Sequence, residues 1–272
     1  MNELFGMLFD PLFIRPFFTG LCFAVLLPLF GAYLRLRDEW LAALAFAQTA
    51  AAGSLLAMLA GLPLMLGGLI AAAAAATLKS AFEGAARGVQ GAAYALLLVS
   101  GWAVSVLLVA NLPLAERLGH ALFDGQLYFT DSTHLAAALA SVVILGAGLL
   151  RLSRGLLLAY FFPDFFRARG RSVRRIHFLF DLLVAAALAL ATMSVGVMAA
   201  FALVFVPPLV AWSWSTGWQR SLLIGVLVSV GGYGSAFILA LIFDQPFGPV
   251  LALILVAVGA ASGLMRGLRQ PG

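Results

Sequence analysis

The chain has 272 residues, 64% of them hydrophobic and 10% charged, with a formal net charge of +5 and a mean hydropathy of +1.08. Soluble domains carry roughly 25% charged residues, so this composition excludes an ordinary water-soluble enzyme and describes a polytopic membrane protein. The pI of about 10.0 does not point to nucleic acid, because the basic residues stand at the ends of apolar runs and form no patch.

A helix crossing the hydrocarbon core needs roughly 20 apolar residues. On that ruler the sequence predicts an all-α fold of about nine transmembrane helices, over 14–33, 40–59, 61–78, 91–110, 135–150, 176–192, 195–212, 221–243 and 247–265. An eight-span arrangement, with 61–78 or 195–212 bent back or broken, is the runner-up. Residues 1–272 read as a single transmembrane domain with no extramembrane domain. The opening MNELFGMLFDPLF carries acids and no basic n-region, so no cleavable signal is expected. The lone Cys22 permits no internal disulfide.

Three connections, at 60, 193–194 and 244–246, are short enough to demand tight helical hairpins. The one sizeable outer loop, 111–134, carries Glu116, Arg117, His120, Asp124, Asp131 and His134, a solvated loop or a loose outer cation site. The charged landmark is 161–175, FFPDFFRARGRSVRR, which with Arg151 and Arg154 holds seven of the sixteen Lys and Arg residues. Positively charged loops stay in the cytoplasm. Placing this one inside leaves only Arg15 and Arg117 outside, with the N-terminus out and the C-terminus in. Pro163 at a first helical position, Asp164 at the positive end of the dipole and Gly170 as terminator predict a short helix there.

Chemistry-bearing patterns are few. There is no GxxxxGK[ST] loop, and Leu78-Lys79-Ser80 lacks the glycines that cradle a phosphate. His and Cys pairs at zinc spacing are absent, as is a Ser, His, Asp set within the spans. The subunit is therefore expected not to be an enzyme. An ATP-independent secondary carrier, the alternative class, would show buried charged pairs and an internal repeat, and little of either is evident here.

Asp244-Gln245-Pro246-Phe247-Gly248-Pro249, ahead of the last apolar span, resembles the D-x-P-x-G-P signature of the ABC-type permeases for zinc, manganese and iron uptake. Val195-Gly196 with Phe205-Val206-Pro207 resembles that family's VG…P helix, and Phe162-Pro163-Asp164 with Gly170 is similar to its cytoplasmic coupling segment. Glu83 with Gly88-Val89, and Leu122-Phe123-Asp124-Gly125, resemble two further elements in the same order. The resemblance implies a permease subunit of an ATP-binding-cassette importer in the bacterial inner membrane, moving a divalent metal by alternating access. It also implies a homodimer surrounded by membrane lipid and a periplasmic or lipid-anchored substrate-binding protein. Cytoplasmic ATPase subunits would dock near Pro163, Asp164, Arg167 and Gly170, with ATP and magnesium in those partners and no cofactor in this subunit.

The second helix departs from the family pattern. Its relatives carry D-x-x-x-H there, followed by a glycine; Gly53 keeps the register, yet the two ligand positions are Leu44 and Gln48. A chelated metal, siderophore-derived iron or another small solute becomes the rival cargo. Gln48, Pro207, Asp244 and Asp124 are the pathway candidates, each with a plainer reading: an interhelical hydrogen bond for Gln48, a packing kink for Pro207 and a cap on the last helix for Asp244. Asp181, four residues after His177, is expected to pair with His177 or Arg174, or to serve an ion relay.

Overall fold

In the computed structural model, residues 11–83, 86–125, 127, 132–162, 164, 166 and 172–269 are described, with Pro11, Leu12, Arg87, Arg117, Ala121, Asp124, Gly267, Leu268 and Arg269 given by backbone alone. The helices are α1 (Pro11–Arg37), α2 (Trp40–Leu59), α3 (Leu64–Ala81), α4 (Arg87–Asn111), α5 (Pro113–His120), α6 (Ser132–Phe161), α7 (Val173–Val195), α8 (Val197–Trp214), α9 (Trp218–Phe243) and α10 (Phe247–Arg269). A five-residue π-helical turn, Ala121–Gly125, follows α5. All but α5 and that turn are long and apolar enough to cross a membrane, which makes nine candidate spans among the described residues. At 1.5 Å per residue their 18 to 30 residues reach roughly 27 to 45 Å, against a hydrocarbon core of about 30 Å.

Apart from the C-terminal end of α6, the spans begin and end within about four residues of the predicted runs, and the outer segment 111–134 contains a short helix, α5, where a loop is expected. α6 continues to Phe161, so Arg151 and Arg154 lie on its exposed surface and not in a loop; a helix can outrun the hydrocarbon when its long cationic side chains reach the headgroups. α7 runs through Met193 and Ser194, and the chain turns at Gly196, whose φ of +89° no residue with a side chain adopts cheaply. Within 161–175, Val173–Arg175 is already the first turn of α7. Asp164 is helical and exposed, whereas Pro163, Arg167 and Gly170 lie outside the described residues.

Contacts gather into two compact units. One comprises 1–32, 121–142 and 191–272; the other comprises 33–120 and 143–190. In the first, α8 packs against α9 and α10. Its core holds an aromatic knot of Phe17, Tyr233, Phe237 and Phe247, with ring centroids 5.1–6.3 Å apart. The Tyr233 hydroxyl donates to the Phe17 carbonyl at 2.9 Å, which satisfies the one polar atom of that buried ring. Gly20 keeps room for it, since a Cβ there would overlap the phenol.

In the second unit, α2 is the buried helix, packed by α3 and α4. Small residues set the approach: a Cβ on Gly53 would meet the Gly67 carbonyl oxygen at 2.5 Å, and one on Gly101 would lie 2.9 Å from the Gln48 carbonyl carbon. Without a hydrophobic drive between helices in lipid, such close backbone contact is a main source of association.

Candidate functional site

Leu44 and Gln48 lie one turn apart on α2, on one face of the helix. Gln48 is 3% exposed, and its Oε1 finds no hydrogen-bond partner. A buried amide oxygen left without a donor costs about 1–3 kcal/mol. The interhelical hydrogen bond considered for it is not made through Oε1. Beside it, α2, α3 and α4 leave an apolar groove of about 310 Å³ lined by Thr49, Gly53, Ala71, Ala75, Ser100 and Gly101.

Pro207, Asp244 and the backbone of Asp124 belong to the other unit. α8 passes through Pro207 and Pro208 as one helix, Val197–Trp214, so the backbone is not broken into half-helices there. Proline supplies no N–H to the carbonyl four residues back, which deprives Val204 of its partner at Pro208. The Val204 carbonyl sits in the space that a Gly31 side chain would take. Asp244 is exposed and ends α9 in the left-handed region (φ +51°, ψ +48°), its N–H bonded to the Ala240 carbonyl. It therefore terminates the preceding helix, where a cap on the last helix was expected. Asp131 lies outside the described residues, and among the described residues no three His, Cys, Asp or Glu side chains gather as a metal site.

Two motif elements that are separate in sequence do meet. Gly125, at φ +80°, and Gly196 approach backbone to backbone: a Cβ on Gly196 would lie 2.8 Å from the Gly125 nitrogen and 3.0 Å from the Phe123 carbonyl oxygen. Glycine is required at both positions, for conformation and for space.

The largest departure from the sequence reading is a ring of buried charge in the second unit. The chain reverses after α1 through Asp38 in the left-handed region (φ +57°), which folds Glu39 back onto Arg37. Arg37 contacts Glu39 at 2.8 Å and Asp181 at 2.9 Å, while Lys79 contacts Glu39 at 2.9 Å and also Asp181. Lys79 and Asp181 are 3% and 1% exposed. The cations also lie over rings, Arg37 above Phe180 and Lys79 above Tyr94, at 5.6 and 5.8 Å. Asp181 thus pairs with neither expected partner. His177 Nδ1 instead meets Glu83 Oε1 at 2.5 Å, and Arg174 donates to the Ser80 carbonyl at 2.6 Å. Burial pushes the Glu83 carboxyl up, but the hydrogen bond and charge of His177, then the charges of Arg37 and Lys79, bring it net below the usual carboxylate range. A smaller cavity of about 160 Å³ lies alongside, lined by Tyr33, Arg37, Tyr160 and His177.

The model of the ABC 3 transport family matches residues 10–265. The chain belongs to that family. As an ABC 3 chain it is similar to the "Probable iron transport system membrane protein" of Haemophilus influenzae, 23% identical over 239 residues covering 88% of each chain. It is 24% identical over 265 residues to the chelated iron transport system membrane protein YfeD of Yersinia pestis, covering 93% of this chain and 86% of that one. Its fold is that of PsaBC from Streptococcus pneumoniae, solved in complex with Fab: the TM-score is 0.84 at 18% identity, covering 96% of this chain and 94% of that chain. This ABC 3 protein is an all-α, multi-pass transporter permease, as the ordered motifs imply. It nevertheless contains the buried charged pairs expected of a secondary carrier, so those pairs do not separate the two classes; the family match does.

Proposed function

We propose that this chain is the membrane-spanning subunit of an ATP-driven importer of a transition metal, either zinc, manganese or iron, in the bacterial inner membrane. Two copies form the pathway, and cytoplasmic ATPases that hold ATP and magnesium dock on the segment around 161–175. A periplasmic or lipid-anchored binding protein delivers the cargo, and alternating access moves it inward. The reading is carried by the family match over residues 10–265. Iron transport, named for both bacterial relatives, supports the cargo class. The subunit itself carries no cofactor and hydrolyses nothing.

A second reading narrows the cargo to metal that keeps ligands of its own. Leu44 offers no donor and Gln48 only a neutral amide, so a bare ion at this level would lose its hydration shell without comparable replacement. Uptake into proteoliposomes bearing the subunit, its ATPase and its binding protein decides between them. Faster uptake of chelated iron than of ferrous, zinc or manganese ions supports the chelate; the reverse order supports the bare metal; no ATP-dependent uptake of either refutes the importer. Orientation is tested separately in a chain whose Cys22 is replaced. Gly217→Cys should be labelled only from the cytoplasm and Gln245→Cys only from the periplasm.

A further inference from the structure

Three helices that are not neighbours in sequence are tied by charge in the second unit. Arg37 closes α1, Lys79 lies in the last turn of α3, and Asp181 sits about two turns into α7. With Glu39 they close a ring in which each cation touches both carboxylates. Such a ring is a poor device for stability alone, because desolvating four charges opposes most of their attraction and well-packed apolar residues often do as well. It is a good device for alignment. Each ion finds both partners in only one register of the three helices, and a slip of one turn strands a buried charge.

α7 meets this ring through a continuous stripe. Arg174, His177 and Asp181 follow one another at helical spacing on one face, and they contact the Ser80 carbonyl, Glu83, and the Arg37 and Lys79 pair respectively. Val173–Arg175, which ends the basic segment 161–175, is the first turn of that same rigid helix.

We propose that the Arg37–Glu39–Lys79–Asp181 ring is the positioning element that passes displacement of the start of α7 to α1 and α3 during transport. This rests on the reading of 161–175 as the docking segment for the ATPase. Asp181 and Lys79 act as positioning residues and touch no cargo.

The test uses the complete importer in proteoliposomes. Lys79→Met with Asp181→Leu removes one cation and one anion and leaves Arg37 paired with Glu39. The ATPase should still co-purify and hydrolyse ATP, while metal taken up per ATP falls about tenfold, within the range of couplings between distant sites. Lys79→Arg, which keeps the charge, should retain coupling. If the double variant is not recovered from membranes, Arg37→Met with Glu39→Gln empties the other side of the ring and carries the same expectation. Unchanged uptake per ATP in whichever variant assembles overturns the role of the ring. Retention of the ATPase after charge reversal at the exposed Asp164 and Arg175 would instead overturn the docking reading, an outcome independent of the ring variants.

Discussion

Gly196 approaches Gly125 so closely that a Cβ on the first would lie 2.8 Å from the backbone nitrogen of the second. Both residues have positive φ, so alanine at either faces a conformational penalty as well as overlap. Gly61 separates the two costs, because its φ is +66° but nothing lies within 4 Å of its would-be side chain. Gly61→Ala should cost about 1–2 kcal/mol, the penalty for a left-handed L-residue. Gly196→Ala should cost clearly more, read as a lower melting temperature in detergent. Equal shifts would show that the backbone contact is slack.

Gln48→Leu removes a buried, unpartnered acceptor and should stabilise the purified protein by about 1–3 kcal/mol if packing alone is counted. On the reading of Gln48 as a pathway residue, the same variant should slow transport, because an amide oxygen with no protein donor is then lost to the cargo. Leu44→Asp with Gln48→His should create a metal site, read as bound zinc by elemental analysis. Gln48→Leu that transports normally and gains stability would make the amide a packing flaw and no part of the pathway.

Lys79→Met alone leaves Glu39 and Asp181, the latter 1% exposed, to share the single cation Arg37, and this uncompensated buried charge should destabilise the chain by about 3–5 kcal/mol. Adding Asp181→Leu should recover most of that loss. Thermal unfolding of the two single variants and the pair closes the cycle, and strictly additive costs would mean that the contact is not formed.

Glu83 has a carboxyl held below its ordinary range. Its contribution to stability is therefore fully present above the unfolded value of about 4.3 and is lost as pH falls through the lower folded value. Wild type should melt above Glu83→Gln at neutral pH, and the gap should close on acidification below about pH 4. A gap that widens in acid would reverse the sign.

Asp244→Gly keeps the left-handed turn at the end of α9 and should leave the melting temperature unchanged or slightly raised. Normal transport in that variant would confine Asp244 to the turn; lost transport with normal expression would assign its carboxylate a direct role.

The spans were legible because lipid imposes a single ruler and charges mark its ends: all nine predicted runs lie within or largely within one observed helix each. Partnerships were not. Asp181 pairs with Arg37 and Lys79, 144 and 102 positions away, and helical spacing speaks only for residues three or four apart, such as His177. Likewise Leu122–Gly125 and Val195-Gly196 could be recognised as separate motifs, but their contact is made by backbone, which leaves no pattern in side-chain chemistry. Arg151 and Arg154 fall beyond the predicted run 135–150 although α6 continues through them to Phe161, because charge marks the edge of the hydrocarbon and not the end of a helix.

The crossing of α1 and α8 works as a key in its slot. The Val204 carbonyl, freed by Pro208, projects into the notch at Gly31, and the residues one turn to either side on α1 are Leu27 and Arg35, each carrying a bulky side chain. Sliding either helix along the other by a turn would drive the oxygen into one of them. These two helices cannot ratchet, and any motion that carries one during a transport cycle must carry the other with it as a single lever.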